Sequence, residues 1–132
     1  MMSQRVYTVN NYDDFFKDIG FPLGIKRRNL VKTLIYPFTA HAPNACLHCL
    51  VCTGVHTSAS YIFGHDGEFP DKQPEVVYGD GDGTVNRCSL EACDTWSQQQ
   101  DCDVTLKGYQ SINHNGVLSD PNVLNYMKSV LF

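Results

Sequence analysis

Glu75-Val76-Val77-Tyr78-Gly79-Asp80-Gly81-Asp82-Gly83-Thr84-Val85 is the stretch on which the reading of this chain turns. Its first four residues, with two valines and a tyrosine, form a short predicted strand, and the strand runs into an alternation of glycine and aspartate. Gly81 and Gly83 permit the tight, positive-φ backbone that side chains with a Cβ resist. An aspartate held among glycines at the end of a buried strand can aim its carboxylate across the top of a sheet. There it would fix the tautomer of a histidine and stabilise the imidazolium formed in catalysis. Asn113-His114-Asn115-Gly116 supplies such a histidine, 32 residues after Asp82.

Acid followed by base is the order of the last two members of an α/β-hydrolase triad, in which the serine comes earlier, in a G-x-S-x-G elbow. The eight serines, at 3, 58, 60, 89, 97, 111, 119 and 129, include none flanked by glycine in that pattern. The chain therefore reads as the C-terminal piece of a larger protein, with an acid and a base and no nucleophile. Two other readings of the same residues stay open. Taken as a calcium loop, the turn places Asp80 first, Asp82 third, Thr84 fifth and Glu91 twelfth, but Val85 stands sixth where glycine is needed. A plain glycine-aspartate turn and a solvated loop histidine would carry no chemistry.

Around this element the pattern is that of a packed α/β protein. Of the 132 residues 42 % are hydrophobic and 18 % charged, which suits one globular segment. A net charge of −4 offers no basic footprint and argues against a nucleic-acid partner. No run approaches the ~20 apolar residues of a membrane span, and Met1-Met2-Ser3-Gln4-Arg5-Val6-Tyr7 has no apolar signal-peptide core. Six cysteines nevertheless suit an oxidising compartment.

Asn11 is placed to cap a helix over residues 12–19, with Phe15, Phe16 and Ile19 on one face and Gly20 ending it. Phe21-Pro22-Leu23-Gly24 reads as a turn, and Lys26-Arg27-Arg28 as a solvated loop or helix face. Residues 45–55 are nearly all apolar and of strand length, as in a buried parallel strand. A loop over 64–74, a helix over 86–98 with Leu90, Cys93 and Trp96 inward, and a strand over 103–106 follow. Asp120-Pro121 opens a last helix with Val123, Leu124, Met127, Val130 and Leu131 on one side. Strand, loop, helix, strand, loop, helix predicts the tail of a doubly wound α/β sheet.

Cys46, Cys49 and Cys52 recur every third residue, with His48 and His56 among them, so spacing alone admits a zinc site. In a strand, however, residues three apart face opposite ways. A disulfide or plain buried thiols are the alternatives.

Beyond these readings, Tyr7-Thr8-Val9-Asn10-Asn11-Tyr12, the run from Phe15 to Pro22, Cys49-Leu50, Phe69-Pro70-Asp71, Gly79 to Asn86 and Cys93 to Trp96 resemble the lecithin:cholesterol acyltransferase and lysosomal phospholipase A family. The resemblance covers nearly the whole chain but only about the last third of such an enzyme, and Gly79 to Val85 is its specific part. It implies an incomplete α/β-hydrolase fold over 1–132, a mostly parallel sheet flanked by helices, with Asp82 as triad acid and His114 as base. It also implies a disulfide between Cys49 and Cys93. Acyl transfer from phospholipid to water or a lipid alcohol through an acyl-serine follows from it, with no cofactor or metal, as does a secreted or lysosomal parent that meets membranes or lipoproteins through N-terminal parts. Around His114 this chain departs from the family's usual loop, and Cys46, Cys52, Cys88 and Cys102 match no position of the pattern. A chain of this length standing alone would expose a sheet edge and could act as a non-catalytic binding module.

Overall fold

The computed structural model describes residues 5–34, 41–64 and 69–132. They divide into two compact units, residues 5–34 with 69–73 and residues 41–64 with 74–132.

In the smaller unit, α1 is Tyr12–Asp18 and α2 is Pro22–Val31. Asn11 occupies the N-cap position of α1, but its side chain turns away from the helix. Its Oδ1 accepts from the Thr8 amide at 2.6 Å and its Nδ2 donates to the Val6 carbonyl at 2.8 Å. Gly20, at φ +67°, ends α1, and the Phe21 amide closes the turn onto the Phe16 carbonyl at 2.8 Å. The turn expected over residues 21–24 is instead the start of α2. Proline in the first turn of a helix forfeits no helical hydrogen bond, and Gly24 lies where a Cβ would strike the Phe16 ring. Lys26, Arg27 and Arg28 are thus helical, and Arg28 bonds Asp13 at 3.1 Å. Tyr7, Phe15 and Phe69 pack ring to ring at centroid distances of 5.5 to 6.0 Å, and Phe16 joins Phe15 at 5.6 Å.

The larger unit holds β1 (Leu47–Thr53), β2 (Val55–Ile62), β3 (Glu75–Gly81), α3 (Arg87–Leu90), a 3₁₀ segment (Ala92–Gln98), β4 (Val104–Gln110) and α4 (Pro121–Leu131). The expected mostly parallel sheet is only half realised. β1 pairs with β4 in parallel, Leu47 opposite Val104 through Thr53 opposite Gln110, while β2 and β3 run antiparallel. β2 was not foreseen, because His56, Ser58 and Ser60 dilute its apolar signal and Ala59 bulges out of register between Ser58 and Ser60. The apolar run 45–55 is likewise not one buried strand: Gly54, at φ +82°, breaks it, and in β1 only Val51, Cys52 and Thr53 are buried.

The helix predicted over 86–98 is α only to Leu90. Beyond it, Thr95 Oγ1 and Ser97 Oγ each donate to the carbonyl three residues back, Ala92 and Asp94, at 2.7 Å, so hydroxyls compete for carbonyls that a continuing α-helix would use. Val51, Cys52, Cys93 and Val123 form the buried apolar core of the described residues. On α4 only Val123, 1 % exposed, is fully buried. Leu124, Met127, Val130 and Leu131 are 38 to 68 % exposed and, with the exception of Leu124, line a shallow groove beside His48 and Leu50. Among the described residues no helix is long and apolar enough to cross a membrane.

Asp120 caps α4: Oδ1 accepts from the Asn122 amide at 2.9 Å and the Val123 amide at 3.2 Å. Asp120→Ala should therefore lower unfolding stability by about 1 kcal/mol, read as a shift in the urea midpoint at unchanged slope.

Candidate active site

The carboxyl ends of β1, β3 and β4 meet around Gly54. The Ser111 amide, just past β4, donates to the carbonyl of Thr53 at 2.7 Å, and the Gly54 amide donates to Asp80 Oδ1 at 2.7 Å. At this junction Asp82 follows directly on β3 and His114 stands four residues past the end of β4.

Asp82 is 4 % exposed, and its two carboxylate oxygens have separate partners. Oδ1 accepts from the Thr84 amide at 2.9 Å and the Val85 amide at 2.7 Å, closing the acidic turn on itself. Oδ2 lies 2.8 Å from His114 Nδ1. The backbones repeat the link, since the His114 amide donates to the Asp82 carbonyl at 2.8 Å. Burial acts to raise the Asp82 carboxyl, but the Val85 amide, the His114 ring and the Thr84 amide together outweigh it. The group is held below the ordinary 3.8 and is ionised at neutral pH. A carboxylate so placed selects the imidazole tautomer with its proton on Nδ1. The His114 side chain is 49 % exposed, and Nε2 has no hydrogen-bond partner among the described residues. That arrangement can take a proton from an incoming hydroxyl at Nε2 while Asp82 steadies the charge.

Asp80, two residues earlier, points elsewhere. Besides the Gly54 amide it meets Arg87 Nη1 at 3.3 Å, and these contacts, the amide first, hold its carboxyl low. Arg87 Nε donates to Glu91 Oε1 at 2.7 Å. Asp80 and Glu91 thus share Arg87 while Asp82 faces His114, and among the described residues the three carboxylates do not converge as a calcium loop would require. Zinc on the 46, 49, 52 spacing fails similarly. Cys46 is joined to Cys102 and Cys49 to Cys93, tying β1 to the strand beside it and to the 3₁₀ segment. Cys52 is a free buried thiol, pushed up first by burial and then by the nearby Asp82 and Asp120 charges, and Cys88 is free and exposed.

Sequence reasoning overlooked three residues that shape the site: Gly54 and Arg87, which hold Asp80, and Thr57, whose hydroxyl accepts from the Gly83 amide at 2.8 Å. The only signal for Thr57 was its place two residues after Val55, on the same face of a strand that polar residues obscured.

A mixed α/β arrangement with a carboxylate-histidine pair at its strand ends defines a class compatible with part of an α/β-hydrolase. Residues 8–121 match the family model of lecithin:cholesterol acyltransferase. The chain is 38 % identical over 125 residues to the lysosomal phospholipase A and acyltransferase of Mus musculus, covering 95 % of this chain and 29 % of that protein. It is 38 % identical over 116 residues to lecithin-cholesterol acyltransferase-like 1 of Arabidopsis thaliana, covering 86 % and 24 %. With the phosphatidylcholine-sterol acyltransferase of Gallus gallus it shares 35 % identity over 109 residues, covering 82 % and 25 %. This chain belongs to the lecithin:cholesterol acyltransferase family, and it spans less than a third of the length of these curated relatives.

Two outcomes follow from the geometry. Because the folded Asp82 carboxyl ionises below 3.8, its contribution to stability is present above that pH and lost as pH falls through the folded value. The stability that wild type holds over Asp82→Asn should therefore shrink as pH falls below 3.8, measured by urea unfolding. Peptide mapping without reduction should recover Cys46 with Cys102 and Cys49 with Cys93, while Cys88 alkylates in the native chain and Cys52 only after unfolding.

Proposed function

We propose that this chain supplies the acid, Asp82, and the base, His114, of a Ser-Asp-His triad in an enzyme of lipid metabolism that acts as phospholipase A and O-acyltransferase. The contact of Asp82 Oδ2 with His114 Nδ1 at 2.8 Å, leaving Nε2 open, is the observation that carries the reading. The relatives' names, phospholipase A and acyltransferase in one case and phosphatidylcholine-sterol acyltransferase in another, supply the substrate class.

In the proposed reaction a serine hydroxyl from another part of the enzyme attacks the ester carbonyl of a phospholipid, and His114 Nε2 takes its proton. The ester C–O bond breaks, Nε2 returns the proton to the leaving lysophospholipid oxygen, and an acyl-serine remains. Water or a lipid alcohol then attacks the acyl-serine by the same proton route, releasing fatty acid or a new ester. Asp82 stays ionised throughout and stabilises the imidazolium. The parent enzyme so read works in a secreted or lysosomal setting, at a membrane or lipoprotein surface. Disulfides Cys46–Cys102 and Cys49–Cys93 accord with an oxidising compartment.

The purified 132-residue chain, which carries no serine in a G-x-S-x-G elbow, should show no esterase, phospholipase or transacylase turnover. Placed in the mouse relative in exchange for the matching segment, it should support phospholipid deacylation, and Asp82→Asn there should lower kcat by about 10⁴-fold. Turnover by the isolated chain that His114→Ala abolishes, or a chimera indifferent to His114→Ala, would overturn the reading.

A further inference from the structure

Directly beneath the acidic turn lies Thr57, 1 % exposed and the most buried polar residue among those described. Its hydroxyl stands between two backbone groups, donating to the Val55 carbonyl at 3.0 Å and accepting from the Gly83 amide at 2.8 Å. Gly83 follows Asp82 with φ +90°. On the other side of Asp82, Gly81 rests against the same side chain, since a Cβ there would lie 2.5 Å from Thr57 Oγ1 and 3.0 Å from Thr57 Cβ. Both glycines that flank Asp82 are therefore seated on one threonine. Val55 adds a bridge to Asp82 itself, so the first three residues of β2 form the floor of the turn.

We propose that Thr57 is a positioning residue for the Asp82 and His114 pair, acting through the Gly83 amide; the proposal rests on the triad reading above. The turn has only a few fixed points. Asp82 Oδ1 is bound to the amides of residues 84 and 85 within the same turn, which holds its shape but not its direction. Direction comes from outside the turn: the pairing of β2 with β3 leads into it, Asn86 Nδ2 holds its far end to the Ser58 carbonyl at 3.0 Å, and the Thr57 hydroxyl holds the residue next to Asp82. His114 is attached to Asp82 by both ring and amide, so a rotation of the turn displaces the base together with the acid. Valine at position 57 would keep the volume of threonine yet offer the Gly83 amide no acceptor and the Val55 carbonyl no donor. The amide then turns toward water and takes Asp82 Oδ2 out of line with Nδ1.

Thr57→Val, Thr57→Ala and Thr57→Ser decide the matter in two measurements. In the isotopically labelled chain, the hydrogen-bonded Nδ1 proton of His114 is followed by NMR, with the urea transition as a check on folding. It should persist in wild type and Thr57→Ser and be lost to exchange in Thr57→Val and Thr57→Ala. In the chimera with the mouse relative, Thr57→Val should lower kcat about 10- to 100-fold at unchanged KM, and Thr57→Ser should restore it. Wild-type kcat and a wild-type Nδ1 signal in Thr57→Val would overturn the proposal. So would loss of cooperative unfolding in both Thr57→Val and Thr57→Ala, which would make Thr57 a core residue only. Were His114→Ala itself without effect on the chimera, the triad reading would fall, while the Nδ1 signal would still report whether Thr57 orients the pair.

Discussion

The Asp82 carboxylate divides its oxygens between two partners, and the rest of the site is arranged around that division. One oxygen closes its own turn through two backbone amides; the other fixes the imidazole of His114. A buried carboxylate unpaired in this way would be driven toward its neutral form. Here the donors prevail over burial, so Asp82 stays charged beside the His114 ring. Structure and chemistry coincide in one contact: the bond that satisfies a buried charge is also the one that orients the ring.

Holding that contact requires three strand ends to come together. β1 and β4 run parallel in full register, and their far ends are fastened by the disulfide between Cys46 and Cys102 and by Gln100, whose Nε2 donates to the carbonyls of Ala45 and Cys102. At the near ends, Gln110 Nε2 donates to Thr53 Oγ1 at 2.8 Å and Ser111 joins the Thr53 backbone. The parallel pair is thus clamped at both ends, and the loop that bears His114 leaves from its clamped edge. Cys49 and Cys93 bind the middle of β1 to the 3₁₀ segment, so the chain after the acidic turn is anchored to the strand that supports it. The chain-entropy model assigns a bridge of this loop length roughly 4 kcal/mol.

Much of this was legible from local signals. The alternation of Gly and Asp at 79–83 marks a turn because few other residues accept its backbone, and Gly83 does lie at positive φ. Asp120-Pro121 marks a helix start by chemistry confined to four residues, and the cap forms as written. Where long-range packing decides, the local signal misled. Gly24 and Pro22 look like turn residues but open a helix, because Gly24 makes room for the Phe16 ring. Asn11 stands at its helix start yet spends its side chain on Thr8 and Val6.

Sequence by itself determined the residue types of the site and their order along the chain: an acid in a glycine turn, a later histidine, and a strand and helix pattern on either side. Those properties are local, set by backbone sterics and short-range hydrogen bonding. Resemblance to the family already implied Asp82 and the Cys49–Cys93 bridge, whereas the Cys46–Cys102 bridge was decided only by the tertiary structure. It also revealed that a threonine in an unrecognised strand supports the turn. Asp80 and Asp82 sit in the same glycine repeat, and what separates them is that Asp80 meets the Gly54 amide and Arg87 while Asp82 meets His114. No local pattern carries that difference, because it arises from contacts between residues up to 32 positions apart.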